Sequence, residues 1–168
     1  NTAKHQLIFA GLGAPIPVFA HLPLILGDDG SKLSKRNSTG LISVADFRSG
    51  GFLPEALINF LVLLGWSHPD AKETLTIGEA QAVFSLERVS HTAAVFDSRR
   101  LDHLNGIWIR NLPVEQLAQQ ARPFCGEYAD AVSKRGDKYW QELAGLMQSE
   151  IGSLREVPAF LGSIYEAE

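Results

Sequence analysis

The chain has 168 residues, of which 45% are hydrophobic and 20% are charged, and its formal net charge is −4 at pH 7. This length and apolar content allow one domain or two small domains with a real core. The acidic balance argues against a protein that coats nucleic acid through bulk positive charge, and no apolar run of about 18 residues is present to span a bilayer.

The first quarter of the chain predicts a short α/β unit. Helical spacing of apolar residues begins at once, without an initiator methionine, and ends at about Gly11, so we expect the chain to be part of a longer protein. Val18 to Leu26 has the composition of a strand in which Pro23 lies at an edge or a bend. The turn signal Gly-Asp-Asp-Gly at 27–30, whose two aspartates serve the turn, then leads into a basic stretch.

From Ser43 onward the pattern predicts helices and no further strand. Two capping boxes, Ser43 with Asp46 and Thr76 with Glu79, mark helix starts. Further helical segments are predicted from Pro54 to about Leu64, from Asp97 to about Asn111, over 114–122, 129–133 and 139–150, and after Gly152. The fold class is therefore predicted as mainly α, with a short α/β part first and the best domain boundary near Asn111.

Residues 31–36 read Ser-Lys-Leu-Ser-Lys-Arg and carry the clearest chemistry of the chain. Three cationic side chains and two hydroxyls beside a glycine-bounded turn suit a polyphosphate, whose charge a mobile lysine can neutralise in a transition state. Taken alone, so short a basic motif is more often a solvated surface loop. The glycine spacing of a P-loop is absent, which disfavours that kind of phosphate cradle.

Three separated blocks give this loop a context: FAHLPLILGDDGSKLSKR, GFLPEALINFLVLLGWS and VFDSRRLDHLNGIWIR. In residue type and order they resemble bacterial and organellar glutamyl-tRNA synthetases, which are class I aminoacyl-tRNA synthetases. In that family KLSKR is the form taken by the second signature motif of the nucleotide site. By resemblance Lys35 is the catalytic position that meets the ATP phosphates, and the ATP-binding loop consists of Lys32, Leu33, Ser34, Lys35 and Arg36.

The resemblance also implies a division of the chain into three parts. Residues 1–45 correspond to the end of a class I catalytic domain, 46–110 to a helical domain that contacts the tRNA stem, and 111–168 to the first part of a helical anticodon-binding domain. The implied fold is a short α/β remnant of the catalytic domain followed by helical tRNA-contacting domains. The other class I motif, a His-x-Gly-His-like sequence, does not occur here, so we expect this chain by itself not to aminoacylate.

The reaction implied by the resemblance has two steps. Glutamate attacks the α-phosphate of ATP, carried with Mg²⁺, to give glutamyl-adenylate and pyrophosphate, and the acyl group then passes to tRNA(Glu). A monomer without a membrane partner, in the cytoplasm or an organelle, is expected. Because Cys125 is the only cysteine and the five histidines lack ligand spacing, we also expect a reducing compartment and no protein-bound metal.

Weaker candidates lie outside the loop. The residues on or beside the helix that contacts tRNA in the family are Arg99, Arg100, Asn105 and Arg110. Each is equally typical of a solvated helix face, and Asn105 with Gly106 could instead break or cap that helix. His21 is a candidate for the nucleotide site or a structural histidine. The tryptophans are interpreted as core residues and not as base-stacking platforms; they are Trp66, Trp108 and Trp140.

Three other functions stay open. The chain could be an autonomous tRNA-binding module without catalysis, or a helical interaction protein with a fortuitous basic loop. It could also belong to a shorter relative that glutamylates a modified base in tRNA, although LREVPAFLGSIYEA resembles the start of an anticodon-binding region, which that relative lacks. The resemblance departs from the family directly after Arg36, where Asn37-Ser38 replaces the usual His-Gly.

Overall fold

The computed structural model of the chain describes residues 1–27, 29–33 and 43–166. The α-helices of these ranges are α1 (Thr2–Gly11), α2 (Val44–Ser49), α3 (Pro54–Leu63), α4 (Ile77–Val83), α5 (Ser98–Asn111), α6 (Val114–Ala121), α7 (Ala129–Arg135), α8 (Asp137–Met147) and α9 (Val157–Tyr165). The strands are β1 (Ile25–Leu26) and β2 (Ala94–Val95), and 3-10 turns cover Leu86–Arg88, Arg122–Phe124, Gly126–Tyr128 and Leu154–Glu156. The predicted mainly α fold with a small α/β part is confirmed.

The strands are shorter and differently placed than the sequence suggested. Only the last two residues of the predicted strand Val18–Leu26 are in β1, because Pro23 has no N–H to donate and only β1 finds a partner. The expectation of no strand after Ser43 was wrong, since β2 pairs in parallel with β1, Ile25 opposite Ala94 and Leu26 opposite Val95. A two-residue strand carries too little periodicity to be recognised from sequence.

Helix starts follow the local chemistry that the sequence displays. Both capping boxes are present: the Ser43 hydroxyl accepts the Asp46 N–H at the start of α2, and the Thr76 hydroxyl accepts the Glu79 N–H at the start of α4. Pro54 occupies the first turn of α3, where its missing N–H has no intrahelical partner to lose. These satisfied ends fix where each helix enters the core.

The apolar core of the described residues lies entirely after residue 43. None of residues 1–27 and 29–33 is buried, and Leu7 in α1 and Leu12 directly after this helix are 74% and 76% exposed. A first buried cluster joins Phe47 of α2 to residues of α3 and α5. A second, larger cluster runs from Leu53 through Ile109 to Leu161, so the packing is continuous across the predicted boundary near Asn111.

The helices of the described ranges are short. None of them combines the length and the apolar content that crossing a bilayer requires. The longest, α5, has 14 residues and alternates an apolar face with a charged one, which suits a helix lying on a core with one side in water.

Candidate functional site

A tight hairpin delivers the chain to the start of the basic loop. The Gly27 N–H donates to the Ser31 carbonyl (2.8 Å) and the Leu33 N–H donates to the Ile25 carbonyl (3.0 Å). Inside the turn, Oδ1 of Asp29 accepts the Ser31 N–H (2.9 Å), and this hydrogen bond lowers the pKa of the Asp29 carboxyl. The interpretation of Asp29 as a turn former is therefore confirmed, whereas Asp28 lies outside the described residues.

Two members of the predicted ATP-binding loop are described. Lys32 is exposed and forms an isolated antiparallel bridge with Leu26, and Leu33 is half-buried. Ser34, Lys35 and Arg36 lie outside the described residues, as do the Asn37 and Ser38 positions at which the family pattern changes. The structure thus fixes the entry to the loop.

This entry is connected to the helix that carries most of the tRNA candidates. β1 lies between Lys32 on one side and β2 on the other, and the Phe96 N–H extends the ladder by donating to the Leu26 carbonyl (2.8 Å). Phe96 then packs against Phe60 in the first core cluster, with ring centroids 5.0 Å apart. Directly afterwards Asp97 caps α5, so the loop and this helix start from one small sheet.

His21 occupies an exposed position near the first helix. Its Nε2 lies 2.9 Å from the hydroxyl of Thr2, which ties the chain before β1 to the start of α1. This contact is what the structural interpretation of the histidine expects. The assignment of His21 to a nucleotide site stays a prediction.

Three of the four predicted tRNA residues present cationic groups on the surface. Arg99 is nearly fully exposed and lies 3.8 Å from Asp97, and Arg100 lies 3.6 Å from Glu73. Both ion pairs are exposed and hold their guanidinium groups only weakly. The guanidinium of Arg110 folds back over Gly106, where a Cβ atom would meet its Nη1 at 3.2 Å.

Asn105 is a correction to the sequence analysis. It is fully buried, and its Oδ1 accepts the Leu53 N–H (2.8 Å) while its Nδ2 donates to the carbonyls of Gly152 (2.7 Å) and Gly51 (3.5 Å). A side chain with no exposed surface cannot contact RNA, so that prediction was wrong. The helix also continues through Asn105 and Gly106 without a break or a cap.

Sequence reasoning missed Asn59, the other buried polar residue of the described ranges. Its Oδ1 accepts the Leu75 N–H (3.1 Å) and the Trp108 indole N–H (3.0 Å), and its Nδ2 donates to the Glu73 carbonyl (3.0 Å). The signal was a lone amide in the otherwise apolar run ALINFLVLL. The interpretation of Trp66 and Trp140 as core residues is confirmed, and Trp108 is half-buried.

Comparisons with known proteins agree with this geometry. The family of class I tRNA synthetases for E and Q, catalytic domain, matches residues 1–103, a range that includes the hairpin, both strands and the start of α5. The chain is 41% identical over 166 residues to glutamate–tRNA ligase 1 of Fervidobacterium nodosum, covering 99% of this chain and 34% of that protein. It is 45% identical over 141 residues to the glutamate–tRNA ligase of Microcystis aeruginosa, covering 83% and 29%.

A solved structure gives the same result. The crystal structure of a glutamate tRNA ligase from Elizabethkingia meningosepticum in complex with its amino acid matches with a TM-score of 0.73 at 27% identity, over 92% of this chain and 34% of that one. The chain thus spans about a third of the length of the relatives it matches. Because the family match covers more than half of its residues and includes both strands, the chain belongs to the class I tRNA synthetases for glutamate and glutamine.

Proposed function

We propose that this chain is the part of a glutamate–tRNA ligase that supplies the basic nucleotide loop and the helices that contact tRNA. The observation that carries the proposal is the family match over residues 1–103. Both relatives named above are glutamate–tRNA ligases, which favours glutamate over glutamine as the amino acid. The hairpin that presents Lys32 beside β1 supports the assignment of the following residues to a loop of the nucleotide site.

In this proposal the whole ligase activates glutamate with ATP and Mg²⁺. A carboxylate oxygen of glutamate attacks the α-phosphorus, the bond from that phosphorus to pyrophosphate breaks, and glutamyl-adenylate forms. The ammonium group of Lys35 stabilises the negative charge that develops on the departing pyrophosphate, with Lys32 and Arg36 adding positive charge nearby. The glutamyl group then passes to the terminal adenosine of tRNA(Glu), which releases AMP.

The tRNA surface of the proposal is the exposed side of α5. Arg99, Arg100 and Arg110 are exposed, and the acidic residues beside Arg99 and Arg100 hold them only at 3.6 to 3.8 Å. Phosphate groups can displace such surface partners, because a guanidinium binds phosphate through two parallel hydrogen bonds. The division at 46–110 and 111–168, a monomeric state and a cytoplasmic or organellar location belong to the same proposal.

The test of the catalytic assignment is tRNA charging with radiolabelled glutamate. Residues 1–168 are placed at the corresponding position of the Fervidobacterium nodosum ligase, and this chimera is compared with its Lys35→Ala variant. We expect Lys35→Ala to lower the charging rate by about 10² to 10³-fold, as loss of one charge-stabilising group in a transition state does. The matched control is Lys138→Ala, which removes an exposed lysine at the start of α8.

A folded chimera that charges tRNA equally well with and without Lys35 contradicts the catalytic assignment. A folded chimera that charges no tRNA, beside a host ligase that does, contradicts the ligase proposal for this chain. In that case tRNA binding by the 168-residue chain itself, weakened by Arg100→Ala and Arg110→Ala but not by Lys138→Ala, would favour the autonomous tRNA-binding module.

A further inference from the structure

Three chain segments that are far apart in sequence meet around the side chain of Asn105. They are α5 itself, the turn at 50–53 that leads into α3, and the turn at 152–155 that leads into α9. The carboxamide oxygen of Asn105 holds the Leu53 N–H, and its nitrogen holds the carbonyls of Gly152 and Gly51. Turning this amide over would place an NH₂ group against the Leu53 N–H, so the hydrogen bonds select one orientation of the side chain.

The two turns also bind each other directly. The Leu154 N–H donates to the Gly51 carbonyl (3.0 Å), and the Ser153 hydroxyl donates to the Gly50 carbonyl (3.1 Å). Gly51 has φ +75°, and a Cβ atom there would lie 2.5 Å from the backbone nitrogen of Arg155. The backbones therefore touch at a point where only glycine fits.

Directional bonds at this point fix what apolar packing leaves free. Leu53, Ile109 and Leu154 belong to the same buried cluster, which fixes how closely the helices approach, but apolar contact has no preferred direction. The hydrogen bonds of Asn105 add a direction, because they hold one side of α5 against the two turns. The rotation of α5 about its own axis is then fixed.

That rotation decides where the arginines of α5 point. Arg100 and Arg110 are each five positions from Asn105, which places them about 140° away around a helix of 3.6 residues per turn. Burying Asn105 thus turns both arginines toward solvent, where they are exposed. The turn at 152–155 is held by the same amide, so the C-terminal helices keep a fixed angle to these arginines.

We propose that Asn105 is a positioning residue for tRNA binding: it sets the rotation of α5 and the angle between its arginine face and the helices that follow residue 152. The inference rests on the proposed function for its tRNA component, and on the hydrogen bonds described above for its geometric component. Asn105 itself does not touch the RNA. Replacing Asn105 would widen the range of angles between the arginine face of α5 and the helices that follow residue 152, although the chain would keep all of its arginines.

The geometric component is tested by pulsed electron paramagnetic resonance on the 168-residue chain. Nitroxide labels on Arg99→Cys in α5 and on Ser163→Cys, an exposed position of α9, report this angle as a distance, while Cys125 is buried and stays unlabelled. We expect a narrow distance distribution in the labelled chain and a clearly broader one when Asn105→Ala is added. The control is Asn111→Ala, which removes an exposed asparagine whose amide donates to the Ile107 carbonyl in the same helix. A distribution that stays narrow in a folded Asn105→Ala chain overturns the proposal.

A second variant keeps the test decisive where Asn105→Ala fails to fold. Asn105→Asp keeps the acceptor for Leu53, and only its protonated carboxyl can donate to the Gly152 carbonyl. We expect a broad distribution in mildly alkaline buffer that narrows when the carboxyl is protonated in mildly acidic buffer, with no such change in the unsubstituted labelled chain. The same width in both buffers, or failure of this variant to fold in either, overturns the positioning role in favour of a purely structural one.

The tRNA component uses the same variants without labels. Binding of tRNA is measured across a salt series, and we expect Asn105→Ala to weaken this binding. The slope of log affinity against log salt concentration should become shallower by about 0.7 to 0.9 for each phosphate group that the arginines no longer neutralise. Unchanged affinity and slope in a chain whose label distances have broadened would overturn the link to tRNA. Absence of tRNA binding by the unsubstituted chain would instead count against autonomous binding by this chain. The label distances would still decide the geometric component of the proposal.

Discussion

Asn59 offers the sharpest test of how the helical part is held together. Its carboxamide is buried in α3 and binds three groups on two other segments: the Glu73 carbonyl, the Leu75 N–H and the Trp108 indole N–H. Asn59→Ala removes all three hydrogen bonds at once and leaves the rest of α3 intact, because alanine is the best helix former. The variant therefore isolates the contribution of one buried amide.

The expected cost follows from the groups left without a partner. Leu75 is 2% exposed, so its N–H loses its hydrogen bond where water cannot replace it, at a cost of about 1 to 3 kcal/mol. Trp108 is only half-buried, so its indole N–H recovers part of the loss from water. We expect the free energy of unfolding to fall by about 2 to 4 kcal/mol in total.

Urea unfolding followed by far-ultraviolet circular dichroism measures this difference. With a slope of about 2 kcal/mol per molar urea, the midpoint should move down by about 1 to 2 M. Asn111→Ala is the matched control, since the Asn111 side chain is exposed and its amide donates to the Ile107 carbonyl in the same helix. The midpoint of this variant should hardly move. A change of less than about 0.5 kcal/mol in Asn59→Ala would refute the reasoning, because an ordinary surface substitution has that effect.

Three further predictions concern ionisable groups. Cys125 is 1% exposed, and burial raises the pKa of its thiol. A thiol reagent should therefore react about 10³-fold or more slowly with the native chain than with the chain unfolded in urea. Fast labelling of the native chain would contradict this packing. The hydrogen bond to Glu166 raises the pKa of Tyr128 to about 12; stability from this pair is complete below the unfolded value of 10.0 and is lost as pH rises through 12, and Glu166→Gln should shift one tyrosine to lower pH in an ultraviolet absorbance titration. Burial, then the nearby Glu156 and Asp97, raise the pKa of Asp102; its ionisation therefore costs stability as pH rises above 3.8, so Asp102→Asn should raise Tm at neutral pH, and the gain should vanish in melts below that value.

Features that depend on neighbours in sequence were predictable. The capping boxes at Ser43 and Thr76 and the cap at Asp97 act over three or four residues, Pro54 suits the first position of a helix, and each of these marks a helix start in the structure. The position of the basic loop after a turn was equally local, because residues 27–30 carry the turn signal themselves. The family resemblance rested on the same short blocks and was borne out by the family match.

Features that depend on residues distant in sequence were not predictable. β2 forms because residues 94–95 pair with residues 25–26, and a sequence pattern of four residues is too short to predict this pairing. Asn105 was placed among the tRNA contacts because it lies on the helix that contacts tRNA in the family that the sequence resembles. Leu101 and Ile109, four positions to either side of it, are buried on the same face of α5. Helical periodicity could have identified Asn105 as a core position, but not the carbonyls and the N–H that it binds.

The two buried amides have a reciprocal relation that explains why polar residues sit in this core. Asn59 of α3 holds Trp108 of α5, and Asn105 of α5 holds the Leu53 N–H at the start of α3. Apolar side chains at these positions would pack as well, but they would leave the buried N–H groups of Leu53 and Leu75 and the half-buried indole N–H of Trp108 without these acceptors. Each amide therefore ties a connecting segment to the opposite helix, and together they restrict α3 and α5 to one arrangement. For a chain whose proposed task is to hold an arginine face at a fixed angle, that restriction matters more than the apolar burial it replaces.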